Sequence, residues 1–291
     1  MPLTTRQSLI ELAQLDWNES LITIHQGAIE RLDGITGTGL PSFTYMVNPE
    51  WSLRQMAAYW VYCAAQAFQF WDLQPDGSLN KYHYQHMTGS TAMFHCIRDH
   101  WIEGCLPERR VESAFWGAPA ITSRIEIGVE LSSQQDKLYE LVDSLVDKAS
   151  KGVLSVVDAA LMAESFPASF TDPYLKKAQL ALTAIGSLAQ EHLGVEVTCD
   201  LTAFADYQVP RVLRSLGVIE YAPELAELVD SGALIESDSG YERAIRGATV
   251  VAVDRMANQC GCPAVVVDNM LWSSQELAKG ALFHLTETTY Y

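Results

Sequence analysis

The run Phe204-Ala205-Asp206-Tyr207-Gln208-Val209-Pro210-Arg211-Val212-Leu213-Arg214 sets one carboxylate between two aromatic residues, just ahead of an apolar helix. Pro210 predicts the helix start, because proline has no N–H to lose in a first turn and its φ is preset. Val209, Val212, Leu213 and Leu216 give this helix an apolar side, and Gly217 is placed to end it. A carboxylate fixed beside a helix end can stabilise a short-lived cation. The same residues also suit a plain capping or loop aspartate.

Four further groups carry chemistry-bearing side chains. Tyr174-Leu175-Lys176-Lys177-Ala178-Gln179 puts two lysines at the front of a helix, where they oppose the macrodipole. Lys176 borders the apolar stripe and can turn into a cleft, whereas Lys177 reads as a surface lysine. In Val266-Val267-Asp268-Asn269-Met270-Leu271-Trp272, Asp268 and Trp272 are i and i+4 and share a helix face. An acid beside an indole suits a flat ligand with polar donors, and equally an exposed acid next to a core tryptophan. Arg246 sits among Ile245, Ala248, Val251 and Ala252. An arginine there either pairs with an acid or holds a phosphate. The aromatic run Phe68-Gln69-Phe70-Trp71 reads as packing at a helix end or as a ligand platform.

Mostly helical elements must position these groups. Ser52–Trp71 carries Met56, Trp60, Cys63, Ala67 and Phe70 at helical spacing, with apolar residues on the other sides, and predicts a helix buried nearly all round. Gln134–Lys148 is amphipathic, with Leu138, Leu141, Val142 and Leu145 inside. Tyr174–Leu193 predicts a further helix, and Pro223 opens a short one closed by Gly232. Ser239 and Glu242 predict a capping box for a helix to about Asn258. Pro263 starts the last helix and Gly280 stops it. Strand signals are few: a hairpin or long loop over Thr36–Val47, a short run Val195–Thr198, and an extended tail over Phe283–Tyr291. One helical domain is the simplest organisation.

Composition narrows the function. The 291 residues are 48 % hydrophobic, ample for a core. Thirty-six acidic residues against 19 basic ones give a net charge of −17, which repels a long polyphosphate. A single phosphate can still be held by one or two basic groups. Six cysteines form no CxxC pair and read as reduced thiols. No apolar run is long enough to span a membrane, and the Met-Pro-Leu-Thr-Thr start has no signal-peptide core, so the reading is a soluble, cytoplasmic protein with no membrane partner. His83, His86, His95 and His100 lack a HExxH frame, and no metal site is expected. There is no Walker A loop, no GxGxxG after a strand and no GxSxG elbow.

Taken together, Lys176-x-Ala-Gln179, Phe204-Ala-Asp206-Tyr-x-Val-Pro210-x-Val-Leu213, Ile245-Arg246-Gly247, Asp268-x-x-Leu-Trp272, Phe68-x-Phe-Trp71 and the terminal Tyr290-Tyr291 resemble the queuosine salvage proteins, which are queuosine 5'-phosphate N-glycosylase/hydrolases. The resemblance runs from about residue 50 to the end. Two positions depart from its pattern: Ala67 stands where an Asn is expected, and Gln208 where an Arg is common. The resemblance implies a mainly α fold, a single helical domain over residues 1–291 with few short strands, arranged like helix-hairpin-helix DNA glycosylases. It implies hydrolysis of the N-glycosidic bond of queuosine 5'-monophosphate, releasing queuine without metal or cofactor. Asp206 would be the catalytic acid and Lys176 its basic companion. Phe204, Phe70, Trp71, Asp268 and Trp272 would line the base pocket and Ala205 would bind the substrate, with Arg246, His25 and Tyr290 as phosphate candidates. The other readings are a non-enzymatic nucleoside- or nucleotide-binding helical module, a nucleic-acid glycosylase, and a metal hydrolase using His83 and His86. The charge counts against the nucleic-acid reading.

Overall fold

The structure, a computed structural model, describes residues 5–32 and 39–291. The N-terminal segment forms α1 (Arg6–Asp16), β1 (Ile22–Ile24) and α2 (Gln26–Glu30). The middle of the chain forms α3 (Leu53–Ala65), β2 (Trp71–Leu73), β3 (Leu79–Lys81), β4 (His83–Tyr84), β5 (Met87–Thr88), α4 (Gly89–His100), α5 (Glu108–Ala114), α6 (Ile121–Ser133), α7 (Gln135–Ser150), β6 (Val153–Ser155), α8 (Val156–Ser165), α9 (Pro167–Phe170), α10 (Lys176–Leu193) and β7 (Thr198–Asp200). The last part forms α11 (Gln208–Ser215), β8 (Ile219–Tyr221), α12 (Pro223–Asp230), α13 (Gly240–Cys260) and α14 (Ala264–Ser273). The fold is mainly α, and the strands among the described residues pair only two by two. None of the described helices is long and apolar enough to cross a membrane.

Two compact units result. Of the described residues, one comprises those up to Leu40, residues 200–289 and Tyr291; the other comprises residues 41–199 and Tyr290. In the second unit α10 lies along α3, and α7 packs on both. Both central helices are buried on every side over most of their length, because small residues let neighbours approach: Ala57, Ala58, Ala64 and Ala65 on α3, and Ala178, Ala181, Ala184 and Ala189 on α10. Ser52 and Gln55 close a capping box on α3, a device worth about 1 kcal/mol.

In the first unit α13 packs against α1. Gly247 permits this approach, since a Cβ there would come within 2.6 Å of the Ala13 carbonyl oxygen. The antiparallel pair β1–β8 aligns Ile22 with Tyr221 and Ile24 with Ile219 and turns Ile22, Ile24, Ile219 and Tyr221 inward.

Several sequence expectations shift. α3 ends at Ala65, so Phe68, Phe70 and Trp71 lie beyond the helix, in a turn and the start of β2. α11 starts at Gln208, two residues before Pro210, because Asp206 supplies the cap. Ser239 accepts the Glu242 N–H, whereas the Glu242 side chain is turned to Arg246. The strand expected at Val195–Thr198 forms at Thr198–Asp200 and pairs with β6. Residues 36–38 of the expected hairpin lie outside the described residues, and the remainder to Val47 is a loop with a 3-10 turn at Thr44–Met46. The tail forms one bridge, Leu285 to Leu234, and is otherwise irregular.

Candidate active site

Asp206 ends a loop that starts after β7. Buried or half-buried charged side chains of its own unit hold that loop at three places. Arg6 Nε donates to the Leu201 carbonyl oxygen at 2.9 Å. The Phe204 N–H donates to Asp268 Oδ1 at 2.9 Å. Arg246 Nε donates to the Ala205 carbonyl oxygen at 3.0 Å. Ala205 is left-handed, with φ of 45°, a conformation that costs a residue with a Cβ roughly 1–2 kcal/mol. Its reversal of the chain turns the next side chain back toward α11.

Asp206 is 9 % exposed. Its Oδ1 accepts the N–H groups of Gln208 and Val209 at 2.8 and 3.0 Å, satisfying two of the orphan donors of α11. Its Oδ2 accepts no hydrogen bond among the described residues. One carboxylate oxygen thus fixes the side chain. The positive end of the α11 dipole suits the negative charge.

Arg246 is 1 % exposed. Its Nη1 lies 3.6 Å from Glu242 Oε1, one turn back on α13, and its guanidinium sits 4.8 Å from the centre of the Tyr291 ring. Tyr291 Oη and His284 Nε2 are hydrogen-bonded at 3.0 Å. Burial, with the Arg246 charge beside it, pulls the His284 pKa down to about 3, so its ring is neutral. Burial and then the Glu242 charge push the Tyr291 hydroxyl well above its ordinary value. Asp268 is buried on α14, and Trp272, one turn further, is 39 % exposed. The Phe283 ring centre lies 4.5 Å from that of Tyr207, beside Asp206 in sequence, with the rings tilted at 33°.

In the other unit Lys176 opens α10 and is buried. Leu175 before it is left-handed at φ 53°. Asp172 holds the turn, its Oδ1 accepting the Tyr174 N–H and its Oδ2 the Lys176 N–H at 2.7 Å. Sequence reasoning passed over Asp172, although an Asp before Pro173, just ahead of a helix, is a recognisable turn signal. Its charge also offsets the lysines at the helix front.

Three buried cations converge on the end of α3. Lys177 Nζ donates to the Ala65 carbonyl, Lys176 Nζ to Ala67, and Arg124 to Gln66, Phe68 and Gln69. Five consecutive carbonyls therefore each accept from a cation, as the negative end of a helix dipole favours. The backbone carbonyl of Ala67 makes its bond whatever side chain stands there. Arg124 also lies 4.2 Å from the Phe68 ring centre. Gln69, the residue before Phe70, is left-handed at φ 34°. Lys177 corrects the sequence reading: it is 1 % exposed rather than a surface lysine, and burial, only partly offset by Asp172, lowers its pKa to about 7.

Phe204, Ala205, Asp206, Arg246, Asp268 and Trp272 thus belong to one unit, and Phe70, Trp71, Lys176 and Tyr290 to the other. The first unit joins Phe204 to Asp268 and Ala205 to Arg246. Arg246 pairs with an acid, Glu242, and His25 is exposed and pairs with Glu220 at 2.8 Å. His83 opens β4 and His86 lies in the β4–β5 turn, and no cluster of three His, Cys, Asp or Glu residues among the described residues could hold a metal.

Comparison with known proteins agrees with the residues. A protein of Dictyostelium discoideum named queuosine 5'-phosphate N-glycosylase/hydrolase is 41 % identical over 98 residues, 31 % of this chain and 30 % of the relative. One of the same name from Sphaerobacter thermophilus is 32 % identical over 161 residues, 49 % of each. One from Mus musculus is 29 % identical over 107 residues, 31 % of this chain and 32 % of the relative. The chain thus spans about half or less of the length of these relatives. Residues 125–291, more than half of the chain and including Lys176 and Asp206, match the family described as queuosine salvage protein, and the chain belongs to that family.

Proposed function

We propose that this chain hydrolyses the N-glycosidic bond of queuosine 5'-monophosphate and releases queuine for reuse in tRNA modification. The names of its relatives support the substrate class. The observation that carries the reading is Asp206, buried, fixed through Oδ1 to the start of α11, with Oδ2 unengaged among the described residues.

In the proposed reaction the bond between ribose C1' and the base nitrogen breaks, and its electron pair leaves with the base. Positive charge builds on the ribose, as in glycoside cleavage. Asp206 Oδ2 stabilises that charge, an effect worth about 3–4 kcal/mol on the scale of one preorganised group. Water adds its oxygen to C1', and one of its protons ends on the base nitrogen, giving queuine and ribose 5-phosphate. A carboxylate directs that water and relays the proton. Phe204 and Trp272 offer ring faces on which a base can stack, at about 1–3 kcal/mol per base. Asp268 has one oxygen committed to the Phe204 N–H, so it orders the stacking residue. The roles of Lys176, Phe70, Trp71 and Tyr290 rest on the family resemblance alone.

The proposal sets the reaction in the cytoplasm, with a small nucleotide as partner and neither a nucleic-acid polymer nor a membrane. Incubating the protein with queuosine 5'-monophosphate and separating the products by chromatography tests it. Free queuine supports the reading; bound, intact nucleotide would make the chain a binding module.

A further inference from the structure

We infer that Arg246 is a positioning residue that holds Ala205 in its left-handed conformation and thereby aims Asp206. The inference rests on the proposed reaction and assigns Arg246 a role other than phosphate binding. The guanidinium is 1 % exposed, and its Nε is spent on the Ala205 carbonyl at 3.0 Å. Glu242 Oε1 lies 3.6 Å from its Nη1, and the centre of the Tyr291 ring lies 4.8 Å from the guanidinium. Tyr291 is in turn tied to His284. Glu242, Tyr291 and, through Tyr291, His284 therefore bear on the one side chain that holds the carbonyl of the residue before Asp206.

That carbonyl belongs to an alanine with φ of 45°. A residue with a Cβ leaves this region unless its surroundings hold it there. A reversal to ordinary φ at residue 205 would swing the Asp206 carboxylate off the N–H groups of Gln208 and Val209. The other unit repeats the device: Gln69 and Leu175, left-handed residues before Phe70 and Lys176, are held by Arg124 and Asp172. Each anchor is a buried charged side chain bonded to backbone at or next to the strained residue.

A double-mutant cycle with Ala205→Gly separates positioning from ligand contact, because glycine adopts positive φ without the steric cost and needs Arg246 less. Steady-state kinetics on queuosine 5'-monophosphate should show Arg246→Lys, which keeps a charge opposite Glu242, losing about tenfold or more in kcat with KM nearly unchanged. Adding Ala205→Gly should restore about threefold or more of that loss. A raised KM with kcat retained, or no recovery in the double variant, overturns the inference. Amide exchange at Gln208 and Val209 reads the same loop without turnover: it should speed up in Arg246→Lys and slow again in the double variant. Should Arg246→Lys not fold, Ala205→Val decides, since valine tolerates the left-handed region poorly: kcat should fall, and full activity would refute the role. Wild-type protein that releases no queuine would count against the proposed function, whereas the exchange measurement bears on Arg246 alone.

Discussion

At the residue scale, the candidate site is built from carboxylates and cations whose hydrogen bonds are mostly committed to backbone. Asp206 uses one oxygen to cap α11, Asp268 one to hold Phe204, and Asp172 both to shape the turn before Lys176. Asp268→Ala should therefore cost about 1–3 kcal/mol in urea unfolding, because the buried Phe204 N–H loses its acceptor. Asp268→Asn should cost much less, since the amide oxygen still accepts. Equal losses would show that the bond is not what matters. Lys177 gives a second test. Its folded pKa of about 7 lies below the ordinary 10.5, so between these values the unfolded chain holds a proton that the fold does not. Stability from this group rises with pH across that window and is lowest below it. Lys177→Met should flatten the rise in Tm between pH 7 and 9, and an unchanged slope would place the lysine in solvent.

At the element scale, the candidate site residues gather at helix termini. The end of α3 and the starts of α10 and α11 each bear a buried charge and a left-handed residue before a candidate site residue. Arg124→Met should destabilise the protein by more than about 3 kcal/mol, because several buried carbonyls beyond α3 would lose their donors. Denaturant unfolding measures this, and a loss under about 1 kcal/mol would mean that water replaces the guanidinium. These helices were legible in sequence because their apolar residues recur at helical spacing, as in α7 and α10, and because Pro223, Gly232 and Ser239 mark ends by local chemistry. The termini that matter were less so. Gln69, Leu175 and Ala205 are not residues that advertise positive φ: Gln69 and Ala205 are held there by Arg124 and Arg246, distant in sequence, and Leu175 by the turn that Asp172 shapes three residues earlier. Asp206 and Asp268 stood out as an acid among aromatics and an acid one turn from an indole. Arg124 did not, because one arginine on a helix carries no mark of facing inward. Lys177 was misread because charge usually means exposure, and here α3 carbonyls replace water.

At the scale of the whole molecule, a net charge of −17 on 291 residues sets which partners can approach. A polyphosphate meets repulsion and gains little from counterion release, while a nucleotide with one phosphate meets chiefly the local site. Fluorescence anisotropy with a labelled tRNA-derived oligonucleotide should show no saturable binding at micromolar protein and physiological salt; tight, salt-sensitive binding would point instead to a nucleic-acid substrate. The account as a whole turns on Asp206. Asp206→Asn keeps an acceptor for Gln208 and Val209 but loses the charge, so it should melt near the wild-type temperature. Single-turnover release of queuine from queuosine 5'-monophosphate measures the charge directly. The account predicts a loss of about 10²–10³-fold for the folded variant. Release at the wild-type rate would contradict it.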